Sequence, residues 1–421
     1  NRNLLLLLVF VLVIGGMLTL NGSVVALALP LIVVLGAALW EAPGDLQLEA
    51  SRHVAPDRTT QATPIEVTLT LTNRAARRQT IQVSDRVPTG LELLDGATTQ
   101  LASIGPGESM TLRYTIRGQR GLYTFEPARI STADPFELFP RRSTITAPAQ
   151  LFILPDLIRL RRLAIRPRRT RVYSGVVPAR QGGPGIEFFG VRQYQPGDPT
   201  RWVNARATAR TTDVVFVNEF EQERVVDVGL ILDARAASDV RMNGTSLFEY
   251  GVQAAAALAD LLISQGNRVG LLVYGNAIEW TFPGYGKIQR ERMLRALAAA
   301  QPGDKIALES FDAIPTRLFP MRSQLILISP LLPDDKNAIA MLRARGYQLF
   351  IISPDPVAFE AQALGSNPDV DLARRLANIE RDLMLRAIGR SGVHVINWQV
   401  TIPFQQIAYT ALSQPHVSIM P

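Results

Sequence analysis

The chain has 421 residues, which is more than one ordinary domain needs, so two or three domains are expected. It contains no cysteine, which excludes disulfides, thiolate metal sites and cysteine nucleophiles. The net charge of +7 is carried almost entirely by arginine, because the only lysines are Lys287, Lys305 and Lys336.

Two uncharged apolar runs open the chain, at residues 4–20 and 24–40. Each could form a helix of about 26 Å, which is the short end of a bilayer span. Asn21, Gly22 and Ser23 between them are typical of a turn. A cleaved signal peptide would be followed by polar chain, whereas here a second apolar run follows. The pattern therefore predicts a transmembrane helical hairpin over residues 1–44.

A hairpin places both of its ends on one side of the membrane. Arg2 precedes it and Arg52 and Arg58 follow it, while the turn carries no charge. The positive-inside rule then favours a two-pass protein of the cell membrane with its soluble domains in the cytoplasm. The basic balance beside the anchor also predicts contact with anionic membrane lipid.

Alternation of apolar and polar residues begins after the hairpin. It is clearest at residues 65–71, 80–83, 110–116 and 122–130, and turn signals separate these runs. Short strands at this spacing predict an antiparallel β-sandwich over residues 45–155. We expect it to act as a structural spacer or, alternatively, as a surface that binds a partner.

An arginine-rich connector follows the sandwich. It contains Arg159, Arg161, Arg162, Arg166, Arg168, Arg169 and Arg171. Nucleic-acid surfaces interleave aromatic side chains with basic ones, and here only Tyr173 is nearby. We therefore expect no nucleic-acid partner, and a solvated connector that contacts lipid headgroups or an acidic protein.

From residue 225 onwards, short apolar strands alternate with helical stretches. Strands are predicted at 228–232, 268–274, 324–329, 348–353 and 393–397, and helices at 247–264, 288–300, 335–345 and 369–390. This alternation predicts a doubly wound α/β domain over residues 225–421. Ligands of such sheets bind at the carboxyl ends of the strands.

Residues 185–210, which we call the signature segment, complete the connector region 156–224. The segment combines a glycine turn, a short strand, a Pro-Gly-Asp turn and several arginines. It resembles the bacterial domain-of-unknown-function family fifty-eight at Gly185, Glu187, Phe188, Gly190, Arg192, Tyr194, Pro196, Gly197, Asp198, Arg201, Asn204, Ala209 and Arg210. Pro199 and Ala205 depart from the family pattern, which usually has Asp and Trp there.

The carboxylates of Glu187 and Asp198 lie among arginines in this segment. Such a mixture predicts an ion-pair network, and we expect Arg192, Asp198 and Arg210 to organise the junction between sandwich and α/β domain. Tyr194, Arg201 and Asn204 are expected to share an interaction role. An acid–base pair is the alternative, but no nucleophile, metal or cofactor accompanies it, so we expect no enzyme activity.

The resemblance implies a von Willebrand factor A-like α/β domain, in which Asp-x-Ser-x-Ser after the first strand holds a divalent cation. Here Asp233 is kept, while Arg235 and Ala237 replace the serines and Pro330 replaces a later Asp. A guanidinium repels a cation, so we expect a degenerate site without metal, in which Arg235 could pair with Asp233. Ser238 and Thr245 are the alternative ligands.

These observations predict a membrane-anchored, non-enzymatic scaffold that binds other proteins and holds no cofactor. The resemblance implies a MoxR-type AAA+ ATPase, or another membrane complex, as the protein partner. Two other classes remain open: a metal-dependent adhesion or binding module, which the lost ligands disfavour, and a membrane-bound hydrolase, which the missing nucleophile disfavours.

Overall fold

The computed structural model describes residues 2–40, 46–132, 136–160, 177–211, 213–224, 227–275, 278–303, 318–320, 323–365 and 367–412. The chain divides into two compact units, Asn1–Leu154 and Pro155–Pro421. The arginines of the connector from Arg161 to Arg171 lie outside the described residues, and Arg159 is exposed.

Two apolar helices begin the first unit, α1 (Arg2–Leu18) and α2 (Gly22–Trp40). They pack against each other, and a Cβ atom on Gly16 would lie only 2.5 Å from the Val25 side chain. Both helices begin two residues before the predicted positions, and the turn between them is centred on Leu20, whose φ is 49°. Glycine at position 16 therefore permits the close helix pair.

By length and composition, α2 could cross a membrane, whereas α1 is a shorter apolar helix. Only 11% of the apolar window of α2 is buried. A later helix, Leu247–Ser264, meets the same criterion but is 72% buried, which marks it as a core helix. The two N-terminal apolar helices are consistent with membrane association.

Three β-sheets form the rest of the first unit. The strands are β1 (Leu48–Ala55), β2 (Arg58–Thr60), β3 (Ile65–Asn73), β4 (Gln79–Ser84), β5 (Leu91–Gly96), β6 (Thr99–Ile104), β7 (Ser109–Gly118), β8 (Gly121–Thr124), β9 (Ala128–Thr132), β10 (Arg141–Ile145) and β11 (Gln150–Leu154). Two four-stranded sheets have the orders β1-β3-β7-β5 and β10-β9-β4-β6, and a third has β2-β11-β8. Their strand pairs are antiparallel except for β2 with β11, which is parallel. The single strand predicted over 122–130 was wrong, because β8 and β9 belong to different sheets.

Alternate side chains of the sheets form one apolar core. In β3, Ile65, Val67, Leu69 and Leu71 are completely buried. A buried ion pair interrupts this core: the Nη2 atom of Arg52 lies 2.6 Å from Asp85 Oδ1, and the Tyr114 hydroxyl donates to Asp85 Oδ2 at 2.8 Å. Burial, followed by the charge of Asp85, raises the pKa of Tyr114 above its ordinary value.

The second unit begins with a two-stranded antiparallel ribbon formed by β12 (Val177–Gln193) and β13 (Phe216–Arg224). The four-residue helix α3 (Ala205–Thr208) lies between the two strands in the chain. The Asn204 side chain accepts a 2.9 Å hydrogen bond from the Ala207 amide and so caps α3. The signature segment thus runs from the outgoing strand of the ribbon into its connecting loop.

An α/β region follows the ribbon. Its strands are β14 (Asp227–Ala234), β15 (Arg241–Met242), β16 (Thr245–Ser246), β17 (Arg268–Gly275), β18 (Ile278–Gly284), β19 (Gln324–Ile328), β20 (Gln348–Pro354) and β21 (His394–Trp398). Its helices are α4 (Leu247–Ser264), α5 (Gly286–Ala299), α6 (Asp335–Ala344), α7 (Pro356–Glu360), α8 (Pro368–Arg390) and α9 (Phe404–Leu412). All nine elements that the sequence predicts here are present.

The six-stranded sheet has the order β18-β17-β14-β19-β20-β21. Every neighbouring pair is parallel except β17 and β18. Neighbouring residues of β14 face opposite sides, because Ile231 packs with α6 and α8 residues while Leu232 approaches Gly251 of α4. Helices therefore cover both faces, and the carboxyl ends of β14, β19, β20 and β21 lie along one edge. We call this the carboxyl edge.

Candidate functional site

The carboxyl edge carries a buried charge cluster at the end of β14. Arg235 directly follows β14, and its side chain is only 4% exposed. Its Nε and Nη2 atoms donate to the two carboxylate oxygens of Asp233, at 2.9 and 2.8 Å. Its Nη1 and Nη2 atoms donate to the two oxygens of Asp335, both at 2.8 Å. One guanidinium thus bridges two buried carboxylates.

Neighbouring groups use the remaining lone pairs of Asp233. Ser238 donates to Asp233 Oδ2 at 2.7 Å, and Ser329, which directly follows β19, donates to the same oxygen at 2.6 Å. The backbone amide of Arg235 donates to Oδ1 at 3.0 Å. Five hydrogen bonds thus saturate a carboxylate that has about four lone-pair positions.

The expected pairing of Arg235 with Asp233 is therefore present. Of the two alternative ligands, Ser238 contacts Asp233, whereas Thr245 is exposed on β16 and has no described bond to it. Ala237 brings no oxygen on its side chain, and the backbone carbonyl of Pro330 faces a different arginine. The oxygens that a cation would need are engaged by Arg235 and the two serines, so these residues do not fit a metal ion.

The electrostatics of the cluster follow from burial and pairing. Burial alone lowers the pKa of Arg235, but the hydrogen bonds that it donates to Asp335 and Asp233 outweigh this effect and raise that pKa above its ordinary value. Burial raises the pKa of Asp335, and the hydrogen bond from Arg235 opposes this shift. These contacts favour the charged form of Arg235.

A second buried arginine closes the same edge further along. Arg381 lies on α8, and its guanidinium donates to the Pro330 carbonyl at 2.9 Å and to the Ser353 hydroxyl at 2.9 Å. It also donates to Asn397 Oδ1, on β21, at 2.9 and 3.1 Å, and lies 3.4 Å from Asp355. Burial lowers the pKa of Arg381, while Asp355 and then Asp382 oppose that shift. One side chain thus joins the ends of β19, β20 and β21.

Little space is left between these groups. A cavity of about 10 Å³ adjoins Asp233 and is lined by Ser238, Ser329, Pro330 and Pro354 together with apolar side chains of α4. This volume is at the lower limit for one water molecule. Among the described residues, no group of three or more His, Asp or Glu side chains is arranged to hold a metal ion.

The signature segment holds a separate ion pair on the ribbon. Arg192, on β12, donates from Nη1 and Nη2 to the two oxygens of Asp198, both at 2.7 Å. The Gln195 amide donates to Asp198 Oδ2 at 2.8 Å, and Glu219 lies 3.5 Å from Arg192 Nε. The hydrogen bonds from Arg192 and then Gln195 lower the pKa of Asp198. This fork holds the Pro-Gly-Asp turn against the strand.

Other predicted signature residues are arranged differently. The exposed Arg210 side chain makes no hydrogen bond or ion pair within the described residues. The expectation that Arg192, Asp198 and Arg210 organise the junction between sandwich and α/β domain stays a prediction. Arg201 lies over the Trp202 ring at 6.0 Å, and Asn204 donates to Asn218 Oδ1 at 2.6 Å. Tyr194 is 40% exposed. The side chain of Glu187 lies outside the described part of the chain.

Sequence analysis missed Asp335, Arg381, Ser353, Asp355 and Asn397. Their shared signal is position, because each is a polar residue at or within two residues of the carboxyl end of a predicted strand, or within a predicted helix near that edge. Asp335 begins α6, where a carboxylate is favoured by the helix dipole in any case. Because the helix dipole already accounts for an Asp at this position, the sequence did not indicate that Asp335 also pairs with Arg235.

Curated relatives match a part of this chain. An uncharacterized protein of Mycobacterium tuberculosis is 34% identical over 127 residues, which are 30% of this chain and 38% of that protein. An uncharacterized protein of Mycobacterium bovis matches to the same extent. The chain thus spans well under half of the length of the curated relatives that it matches.

Two solved structures resemble about a quarter of the chain. A FixG-related protein from Vibrio parahaemolyticus has 13% identity and a TM-score of 0.17, over 25% of this chain and 95% of that one. The cupredoxin domain of amoB from Nitrosocaldus yellowstonii has 8% identity and a TM-score of 0.20, over 26% and 88%. Neither likeness supports an argument about function. The family model that matches is the one described as "Protein of unknown function DUF58", and it covers residues 190–354, from the signature segment to the end of β20.

Proposed function

We propose that this chain is a membrane-anchored, non-enzymatic interaction protein. Its α/β region is, in this proposal, von Willebrand factor A-like, with the Arg235 guanidinium in the place where other members of that fold hold a cation. The observation that carries the proposal is the closed carboxyl edge. Arg235 and Arg381 fill the position at which parallel sheets bind ligands, and they donate there to carboxylate, hydroxyl and carbonyl oxygens of the chain.

The anchor in this proposal is the pair of apolar helices α1 and α2. Their leucine, valine and phenylalanine side chains are largely exposed, for example Leu4 at 70% and Phe10 at 62%. Exposing such an apolar surface to water would cost free energy, whereas exposing it to lipid would not. The protein would then present the sheets of its first unit, and its second unit, outside the lipid.

The docking surface that we propose for a partner is the ribbon of β12 and β13. Phe188 and Tyr194 expose aromatic rings, and Val191 lies between them on β12 with 43% of its surface exposed. Exposed aromatics beside a charged fork are typical of residues that carry binding energy at protein interfaces. The partner implied by the family resemblance is a MoxR-type AAA+ ATPase, which would bind here or through another membrane complex.

Co-purification from native membranes tests this function. We expect a tagged full-length chain, crosslinked before solubilisation, to retain an AAA+ ATPase specifically. Phe188→Ser and Tyr194→Ser should reduce that recovery at least tenfold, because each removes a large contact area. Tyr285→Ser is the matched control, since Tyr285 is an aromatic residue that is 73% exposed outside the ribbon. Equal recovery with all three variants would reject the ribbon, and recovery of no protein would reject the scaffold function.

A further inference from the structure

Helix α8 exposes an apolar stripe on the side opposite to its buried face. Leu372, Leu376, Ile379 and Leu383 form this stripe, and each is between 56 and 68% exposed. Arg381 and Ile388 face inward and are buried. At 100° per residue, Arg381 lies half a turn away from Leu372, so the stripe and the packed face are on opposite sides of the helix.

The spacing of the stripe is that of a two-helix seam. The four residues are separated by four, three and four positions, which corresponds to alternating d and a positions of a heptad. A helix that only covers a sheet needs apolar residues on its inner side, and α8 has those as well. Two apolar faces on one helix indicate that a second helix packs on the outer one.

Charged residues flanking the stripe indicate that the second helix is α8 of another copy of this chain. Arg375 and Glu380 occupy the g and e positions that flank the seam, and Asp382 occupies the next g position. In a parallel pair of identical helices, Arg375 meets Glu380 of the second copy. In an antiparallel pair it meets Asp382 of the second copy. Each orientation therefore forms two opposite-charge pairs by symmetry.

We propose that α8 is a self-association surface, and that two copies of this chain pair through the stripe formed by Leu372, Leu376, Ile379 and Leu383. The contact is a short seam and is weak in dilute solution. Confinement of two anchored chains to one membrane raises their effective concentration and compensates for this weakness. The proposal does not depend on the identity of any other partner.

Cysteine crosslinking in native membranes tests the pairing, because the chain has no thiol of its own. In full-length protein, Leu376→Cys or Ile379→Cys alone should form a disulfide-linked dimer in a parallel pair. In an antiparallel pair, the two variants should crosslink only when expressed together. Asn378→Cys, which is exposed on α8 but off the stripe, should give no dimer in either case. Dimers with Asn378→Cys as abundant as with the stripe variants, or no dimer with any variant, would overturn the proposal.

A second measurement distinguishes specific pairing from nonspecific hydrophobic association. Leu376→Asp should weaken dimerisation of the full chain in detergent at least about a hundredfold, because two buried leucines are lost for each dimer. Arg375→Glu should weaken it roughly fivefold, and Glu380→Arg or Asp382→Arg should restore it according to orientation. Burial of the stripe in lipid would instead shield the cysteines from a water-soluble maleimide without any crosslink, and that result would also overturn the proposal.

Discussion

Arg235 and Asp335 lie 100 positions apart in the chain, and two hydrogen bonds of 2.8 Å join them inside the second unit. The pair links the end of the first parallel strand, β14, to the beginning of α6. Because each side chain is almost completely buried, neither charge can be solvated if the other is removed.

The first prediction concerns this pair. We expect Asp335→Asn to lower the free energy of unfolding by about 1–3 kcal/mol, because Arg235 loses its hydrogen bonds to one carboxylate while it keeps those to Asp233. Denaturant unfolding of the full chain measures the change. Glu49→Gln is the matched control: it breaks the exposed Arg74–Glu49 pair and should cost at most about 0.5 kcal/mol. Equal effects of the two variants would contradict the buried network.

The second prediction concerns the position of the guanidinium. Calorimetric titration of the unmodified protein with Mg²⁺ or Mn²⁺ should show no saturable binding, because Arg235 repels a cation at Asp233. Arg235→Ser removes this charge and leaves two carboxylates and several hydroxyls around the vacated space. Mn²⁺ at about ten times its Kd should then stabilise that variant by about 1.4 kcal/mol. Saturable binding by the unmodified protein, lost in Asp233→Ala, would show that our interpretation of the site is wrong.

The third prediction concerns Arg381. We expect Arg381→Lys to destabilise the protein by about 3 kcal/mol, although the charge is retained, because an ammonium group cannot reach Pro330, Ser353 and Asn397 together. Thermal unfolding measures the loss. Arg390→Lys, on the same helix but exposed, should leave the Tm within about 1 °C. An unchanged Tm of the Arg381→Lys variant would mean that the positive charge at position 381, rather than the hydrogen bonds of the guanidinium, stabilises the protein.

The fourth prediction is a pH dependence at the signature segment. The hydrogen bond from Arg192 lowers the pKa of Asp198 in the folded protein. The stability that the Arg192–Asp198 pair contributes is therefore fully present above the pKa of Asp198 in the unfolded chain, which is about 3.9. It is lost as the pH falls below that value and through the lowered folded pKa. The amide NMR signal of Gln195, which donates to Asp198, should shift in that range. The Ala207 amide, which donates to the uncharged Asn204, should not.

The fifth prediction is topology. We expect the soluble units to lie in the cytoplasm, because the turn between the two apolar runs has no charge while arginines flank the pair. Protease added to intact cells should leave the C-terminal region uncut, and permeabilisation should expose it. Cleavage in intact cells would reverse the assignment.

Much of the second unit could be predicted because its buried strands are continuous apolar runs. Residues 228–232 and 325–328 are of this kind, and the structure places β14 and β19 there. The edge strand β18 was missed, because its exposed Trp280 and Phe282 do not give a buried-strand pattern. The long ribbon was missed because glycines and prolines interrupt the alternation in β12.

In the candidate site, only contacts between residues that are close in sequence could be predicted. The pairing of Arg235 with Asp233 follows from their adjacency, whereas its pairing with Asp335 depends on the packing of the whole sheet. Arg381 was hidden for another reason. In a chain whose positive charge is nearly all arginine, nothing in α8 distinguishes the buried Arg381 from exposed neighbours such as Arg375 and Arg386.

The contacts of Arg381 have a consequence for β21, the outermost strand on its side of the sheet. Edge strands normally open first, since they have one hydrogen-bonded neighbour. Here Asn397 of β21 accepts two hydrogen bonds from Arg381, so detaching the strand would leave a desolvated guanidinium without those acceptors. The margin of the sheet should therefore exchange its amide hydrogens about as slowly as the strands at its centre, and the domain should unfold as one cooperative unit.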